Sequence, residues 1–556
     1  MALTTPPLGY PVPTARHAVS VQLPTWSDMC DFAAGDPRVK SAQRTGYPRS
    51  FLHKDVVEVS NAILRRFHSN DSVLVYLSAA SASACRTAME KNGDKAAASQ
   101  IVIRVIEANI NSVDQADLAG SLVYLHAVFF PKTLSPEALT FWRLTGLGIS
   151  SRLAEACLKY LGSVREAWMP GTMTAQLAPT KSGTVSRNRV CTRIVDLLQR
   201  APLDPQAVEG LTADDVYLYQ TGMAAIYHVH QLLLAWRGTE SVVFGFPYEL
   251  TLKLLEEYGP RTRFYGFGTE EEIDDLEAYL ALEAKEDRTV QAVWCECPSN
   301  PLLRTPNYAR LRRLADQYGF AIVVDETIGS FANVDMFGVA DIVVTSLTKS
   351  FNGFADVMAG SIILNPSKPY YQDLKKLMSL NYASEIYDGD IAQLELNSRS
   401  FLARATKINT SASSLVDHLY AQSKAPNSSI TAVYYPTVCW STENYRAQMR
   451  HNTPEFNPGY GGLFTLEFDT VAASEAFFNA LNVHKGPSLG AQVTLAQPYV
   501  QTVFSKEKPW AAKYGLRETI VRISVGLENQ EELLKAFQVA VYEADKIKLS
   551  PLRSNL

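Results

Sequence analysis

Lys349 is the residue in this sequence best placed to form a covalent bond. It lies in ADIVVTSLTKSFNG (340–353), where a β-branched apolar run predicts a buried strand and a glycine-containing turn follows. A lysine at such a strand end is partly desolvated, so it is less protonated and more nucleophilic, and it can form a Schiff base with a carbonyl cofactor. Asp325 ends a second apolar run, FAIVVDE (320–326). An aspartate there can pair with a pyridinium nitrogen and keep the ring an electron sink. Ser346 and Thr348 precede Lys349 closely enough for two hydroxyls to reach a phosphate beside the lysine. A third piece, QTGMAAI (220–226), sets Thr221, Gly222 and Met223 at the start of an apolar helix. Backbone N–H groups at a helix start bind anions, and glycine lets the anion approach closely. Each piece alone is a common sequence, but their order on these elements describes one phosphate-bearing site.

The surrounding pattern explains how these residues meet. ESVVFGF (240–246), QAVWCEC (291–297), FAIVVDE, ADIVVTS and AGSIILN (359–365) are short apolar runs, with helical stretches such as YELTLKLLEEYG (248–259) and NYARLRRLADQYG (307–319) among them. That alternation predicts a mainly parallel sheet with helices on both faces, whose strand ends converge on a ligand crevice. The expected organisation is a loose leader over residues 1–20, a mostly helical N-terminal extension over 21–200, an α/β cofactor domain over 201–370 and a C-terminal α+β domain over 371–556. Within the extension, 56–69 and 121–134 carry apolar residues at helical spacing, and 136–161 reads as helices interrupted at Gly146 and Gly148.

Composition narrows the partners. Apolar residues make up 47% and charged residues 20% of the 556, which describes a globular chain. With 52 Lys and Arg against 57 Asp and Glu, the net charge is −5, which argues against nucleic acid or an anionic membrane as the main partner. The seven scattered cysteines read as reduced thiols, and Cys295 and Cys297 as buried strand residues without partner ligands for a metal. No secretory h-region and no apolar run of about 18 residues is visible, so a cytoplasmic location is expected.

The chain resembles the pyridoxal-phosphate enzymes of cysteine and methionine metabolism, in particular fungal cystathionine γ-synthases. QTGMAAI, CECPSNPLLRTPN, VVDETIGS, SLTKSFNGFADVMAGS, GGLFTLEF, SLGAQVTLAQP and VRISVGLE carry the resemblance from about Thr184 to the C-terminus. HAVSVQLPTW and RTGYPRSFLH are similar to the long extension of the fungal enzymes. The resemblance implies the type I pyridoxal-phosphate fold: a large α/β cofactor domain, a small C-terminal α+β domain and here a helical extension. It implies that pyridoxal 5'-phosphate is held by Lys349, with Asp325 on the pyridine nitrogen and Gly222, Met223, Ser346 and Thr348 on the phosphate. Asn300 would lie near the phenolic oxygen and the substrate carboxylate, and Arg522 would clamp that carboxylate. Arg187 would reach the phosphate of a neighbouring subunit, making a homodimer the smallest catalytic unit, with a homotetramer open.

Three positions depart from the family pattern. Val185 replaces a tyrosine, and Phe244 stands where a tyrosine commonly stacks on the cofactor ring, with Tyr248 either compensating or simply packed. The family's lysine-placing serine falls on Val493 or Thr494, and Thr494 is carried forward as substrate-binding. The implied reaction is γ-replacement on an O-acyl-L-homoserine through a vinylglycine-type intermediate. The default nucleophile is L-cysteine, giving cystathionine. A β-keto acid forming a C–C bond is the alternative, and a silent paralogue with a scaffold role is a third reading.

Overall fold

A computed structural model describes residues 6–46, 50–110, 122–159, 165–166 and 181–553. Three sheets organise it. In the N-terminal extension β1 (Ser72–Tyr76), β2 (Val102–Asn109), β3 (Leu122–Phe130) and β4 (Arg165–Glu166) form an antiparallel sheet in the order β1-β3-β2-β4. The central sheet contains β5 (Val216–Tyr219), β6 (Glu240–Phe244), β7 (Thr262–Tyr265), β8 (Val290–Glu296), β9 (Ala321–Asp325), β10 (Ile342–Thr345) and β11 (Gly360–Leu364). Its order is β5-β11-β10-β9-β8-β6-β7, with β10, β9, β8, β6 and β7 parallel and β11 antiparallel to both its neighbours. The C-terminal sheet contains β12 (Ile430–Tyr434), β13 (Leu463–Phe468), β14 (His484–Lys485), β15 (Leu495–Gln497) and β16 (Ile520–Ser524), in the order β12-β13-β16-β15-β14.

The central strands are apolar on both faces because helices cover both. Val242, Phe244, Val293, Ile322, Val324 and Val343 pack into one layer, and Val243, Ala292, Trp294, Val323 and Val344 into the other. Burial of these two layers, at ~25 cal/mol per Å² of apolar area removed from water, stabilises the region carrying Lys349 and Asp325. The C-terminal ends of β9 and β10 therefore rest on a close-packed base.

The extension differs from its expected helical character. Helices Lys54–Arg66, Ser135–Thr145 and Ser151–Lys159 form as expected, the last two separated by a turn containing Gly146 and Gly148. Residues 122–130 are instead the central strand β3. The physical reason is burial on both faces. Val123, Leu125, Ala127 and Phe129 pack with Val73, Val75 and Ile106, while Val128 and Phe130 pack towards the helices, so a continuous apolar run imitates helical spacing. Position 121 and the 47–49 part of RTGYPRSFLH lie outside the described residues.

The leader is pinned rather than loose over its described part. Pro11 bridges Val21, Val12 and Val21 are fully buried, and the Val19 N–H donates to Ala355 O at 2.8 Å. Its prolines gave it the composition of a linker, yet Val12, Val19, Val21 and Leu23 supply the buried apolar surface that fixes it. The extension is tied to the central sheet through buried Glu385, which accepts hydrogen bonds from Ser78 and Ser81 of the extension and from Gln220 after β5. Among the described residues no helix is long and apolar enough to cross a membrane, and no cluster of His, Cys, Asp and Glu could hold a metal.

Candidate active site

A cavity of about 190 Å³ opens where the C-terminal ends of β8, β9 and β10 face the C-terminal sheet. Lys349 enters it from the turn after β10. Its Nζ donates to Ser488 Oγ at 2.9 Å. Burial pulls its amine down to about 8, and the Arg522 guanidinium adds to the shift while Glu249 opposes it. Ser488 has φ +92°, a conformation that non-glycine residues rarely adopt. Its carbonyl accepts from Arg522 Nη2 at 2.9 Å, which helps hold that backbone in place. Two residues on, Gly490 has φ +73°, and a Cβ there would lie 2.5 Å from Ser350 N and 2.9 Å from the Lys349 carbonyl carbon. Only glycine lets this segment pass over the lysine.

Asp325 ends β9 and accepts from the Thr327 N–H at 2.9 Å. Burial raises its carboxyl. Directly opposite in register on β8 is Glu296, raised well above the usual carboxylate range by burial first and by the Asp325 charge second. Glu296 accepts from the Tyr248 N–H at 2.5 Å and the Asn300 N–H at 3.2 Å. Burial and this crowding both favour the protonated form of Glu296.

The anion end is built by the helix Gly222–Trp236, capped by Thr221, whose hydroxyl oxygen accepts from the Ala224 N–H. The N–H groups of Gly222 and Met223, in its first turn, have no carbonyl partner within the helix. A Cβ on Gly222 would meet Ser346 Cβ and Oγ at 2.7 Å, so glycine is what brings the helix start against the Ser346 turn. Thr348 lines the same wall, but its hydroxyl donates to Ala359 O at 3.2 Å and accepts from Ala359 N at 3.0 Å, which commits its proton to the fold.

Arg522, on β16, is 5% exposed. Its Nη1 donates to Asn300 Oδ1 at 3.0 Å, its Nη2 to Gln497 Oε1 at 2.7 Å, and its guanidinium carbon sits 4.7 Å from the Tyr499 ring centre. Asn300 Nδ2 donates to the Tyr499 hydroxyl at 3.0 Å. A cation held by uncharged oxygens at a cavity wall keeps its charge for an anionic ligand.

Lys349, Asp325, Gly222, Met223, Ser346, Thr348, Asn300 and Arg522 thus line one cavity. Three other expected residues do not. Phe244 is 1% exposed and packs in the core beneath the sheet with Val242 and Leu218, whereas Tyr248 lines the cavity. The side chain of residue 244 points down because it sits inside a doubly buried strand, whereas 248 follows the turn at its end. Thr494 is fully buried, and its Oγ1 donates to Glu528 at 2.7 Å, so it is structural; Ser488 makes the serine contact to the lysine. Arg187 lies on the helix Lys181–Gln199, 3.8 Å from Asp388 Oδ1 and outside the cavity, with Val185 on an exposed face of that helix. Sequence reasoning missed Glu296, Glu249, Ser488 and the extension's own contribution, Phe32, Ser50 and Arg143. Ser488, which opens the quoted motif SLGAQVTLAQP, and Glu296, inside CECPSNPLLRTPN, carried a usable signal.

The residues present fit pyridoxal phosphate. An amine with a depressed pKa, a buried acid at a neighbouring strand end and a glycine-made helix start suit its aldehyde, its ring nitrogen and its phosphate. The comparisons agree. The model of the "Cys/Met metabolism PLP-dependent enzyme" family matches residues 194–542, and that of the "Fungal trans-sulfuration enzyme, N-terminal domain" matches 55–150. The alanine racemase ungC of Aspergillus violaceofuscus is 38% identical, with 98% of this chain and 97% of the relative covered. The cystathionine γ-synthase-like enzyme iboG2 of Amanita muscaria is 37% identical over 98% and 97%. The cystathionine γ-synthase of Neurospora crassa is 32% identical over 97% and 98%. The solved cystathionine γ-synthase of Xanthomonas oryzae superimposes with a TM-score of 0.53 at 21% identity, covering 68% of this chain and 91% of that one, which shows the shared type I fold. The chain is a pyridoxal-phosphate-dependent enzyme and belongs to the Cys/Met metabolism PLP-dependent family.

Proposed function

We propose that the chain catalyses γ-replacement on an O-acyl-L-homoserine, with L-cysteine as the default nucleophile and cystathionine as product. The observation that carries this reading is the link from Lys349 Nζ through Ser488 to Arg522: the hydroxyl of Ser488 accepts from the amine, and its carbonyl accepts from the guanidinium. One residue fixes the distance between a base and a carboxylate clamp, which is what an α-amino acid substrate requires. Lys349 would hold the cofactor, Asp325 its ring nitrogen, and Gly222, Met223 and Ser346 its phosphate. The bound cofactor supplies an electron sink for bonds at the substrate Cα. Arg522 and Asn300 hold the substrate carboxylate. Lys349 Nζ, favoured as the neutral amine by burial, takes the Cα proton and later returns one. The C–O bond at Cγ breaks, the C–S bond forms, and the thiol proton leaves with the acyl carboxylate. Relatives called cystathionine γ-synthase, matched across nearly their whole length, support the γ chemistry.

Arg187 has a buried Nη1 with no hydrogen-bond partner among the described residues. In our reading it completes the site of a second copy, so the enzyme is at least a homodimer. A second reading rests on the relative called an alanine racemase: the same Lys349 and Arg522 would exchange the Cα proton of an amino acid without a leaving group. One experiment separates these readings. The purified holoenzyme is given O-acetyl-L-homoserine with cysteine and acetoacetate together, and separately L-alanine in deuterated water. Cystathionine as the main product supports the proposal. A carbon–carbon product replaces the nucleophile, and deuterated, racemised alanine without thioether replaces the reaction.

A further inference from the structure

Glu249 is a charged group in the cavity that the mechanism above does not use. It opens the helix Glu249–Tyr258, is 8% exposed, and lines the cavity beside Tyr248. Its Oε2 is buried with no hydrogen-bond partner among the described residues. Leaving a carboxylate oxygen without a donor in such a place costs free energy unless a ligand supplies one. Arg143 also lines the cavity, projecting from the helix Ser135–Thr145 of the extension, and its side chain makes no ion pair within 4 Å among the described residues. The two side chains act on each other electrostatically: burial raises the Glu249 carboxyl, and the Arg143 charge is the largest influence opposing that rise. The cavity wall thus carries Arg522, committed to the carboxylate of the first substrate, and in addition the oppositely charged Glu249 and Arg143.

We propose that Glu249 and Arg143 form the subsite for the second substrate and select a zwitterionic amino acid, Glu249 accepting hydrogen bonds from its ammonium and Arg143 pairing with its carboxylate. This rests on the γ-replacement reading and deepens it: such a pair favours an amino acid thiol over a β-keto acid, which has no ammonium to satisfy Glu249. It also gives the extension a task, since Arg143 belongs to it. A site whose buried polar groups are built for a given ligand group discriminates strongly against an analogue lacking that group.

The test uses truncated nucleophiles on the holoenzyme with O-acetyl-L-homoserine: cysteine, 3-mercaptopropionate (no ammonium) and cysteamine (no carboxylate). Thioether formation gives kcat/KM for each thiol, and 2-oxobutyrate released without thiol reports the elimination half of the reaction. Wild type should prefer cysteine to each analogue by about tenfold or more. E249Q should erase the preference over 3-mercaptopropionate, and R143M the preference over cysteamine. Each preference is a ratio within one variant, so a general loss of activity cancels. Thioether formation without preference in wild type, or preferences unchanged in both variants, would overturn the subsite and leave γ-replacement standing. Neither thioether nor 2-oxobutyrate from wild type would overturn γ-replacement and the subsite with it.

Discussion

At the scale of single residues, Lys349 shows how a functional group sets itself against stability. Burial lowers its amine from 10.5 to about 8. The unfolded chain therefore binds the extra proton more tightly than the folded chain between those values. Stability of the cofactor-free protein rises with pH across that window, and below about 8 the folded state carries the full penalty, on the order of 3 kcal/mol for a shift of this size. Lys349→Met should make the cofactor-free protein more stable by about that amount at pH 7, and the difference should shrink towards zero as pH approaches 10.5. Urea unfolding of both proteins at several pH values measures it, and a difference that stays constant with pH would show that burial is not what depresses the amine. Lys349 and Asp325 were legible in the sequence because each ends a β-branched run, and such an end in a parallel sheet has one place to go. Glu249 was not, because an acidic residue in the first turn of an amphipathic helix is ordinary; it complements the helix dipole wherever it occurs.

At the scale of elements, the segment from Ser488 to Thr494 divides between site and scaffold. Its first residue touches Lys349 and its last is locked to Glu528, with Gly490 between them allowing the close pass. Ser488→Ala should slow exchange of the substrate Cα proton by about tenfold, the loss of one hydrogen bond to a charged or reacting group, while cofactor content is retained. Thr494→Val should instead lower stability by about 1–3 kcal/mol by stranding Glu528, with KM for the amino acid substrate unchanged. Thermal unfolding and proton-exchange rates on the same two variants would expose an interchange of these roles. The sequence alone misassigned the serine because its contact spans 139 positions along the chain. The misreading of β3 has a similar cause. Spacing distinguishes helix from strand only when one face is wet, and β3 has neither face wet. Strands β6, β8, β9, β10 and β11 were legible because glycines, prolines and helices bound each short run, while β7 was not named.

At the scale of the whole molecule, the cavity is assembled from all three sheets' regions, and in our reading from a second copy through Arg187. That reading makes a sharp prediction. Lys349→Ala and Arg187→Ala homodimers should each be inactive or nearly so, yet mixing them under subunit exchange should restore activity. A hybrid dimer carries one site with both residues intact, so random exchange should recover roughly a quarter of the wild-type rate. Mixtures that stay as inactive as their parents, with exchange verified by mass, would place Arg187 in its own subunit's structure alone.

The pinned leader bears on how this enzyme comes into being. Ser20 Oγ donates to the carbonyl of Pro487, the neighbour of Ser488, across 467 positions of sequence, and the Leu23 N–H reaches Lys485. During synthesis the Ser20 segment is thus among the last to find its place, since its seat lies 467 positions further along the chain. Contacts this distant along the chain are slow to form because closing so large a loop is entropically unfavourable before any neighbour rewards it. Maturation should accordingly be late and abrupt: on dilution from denaturant, helical signal should return first and catalytic competence only after the leader has docked against the lysine-touching segment.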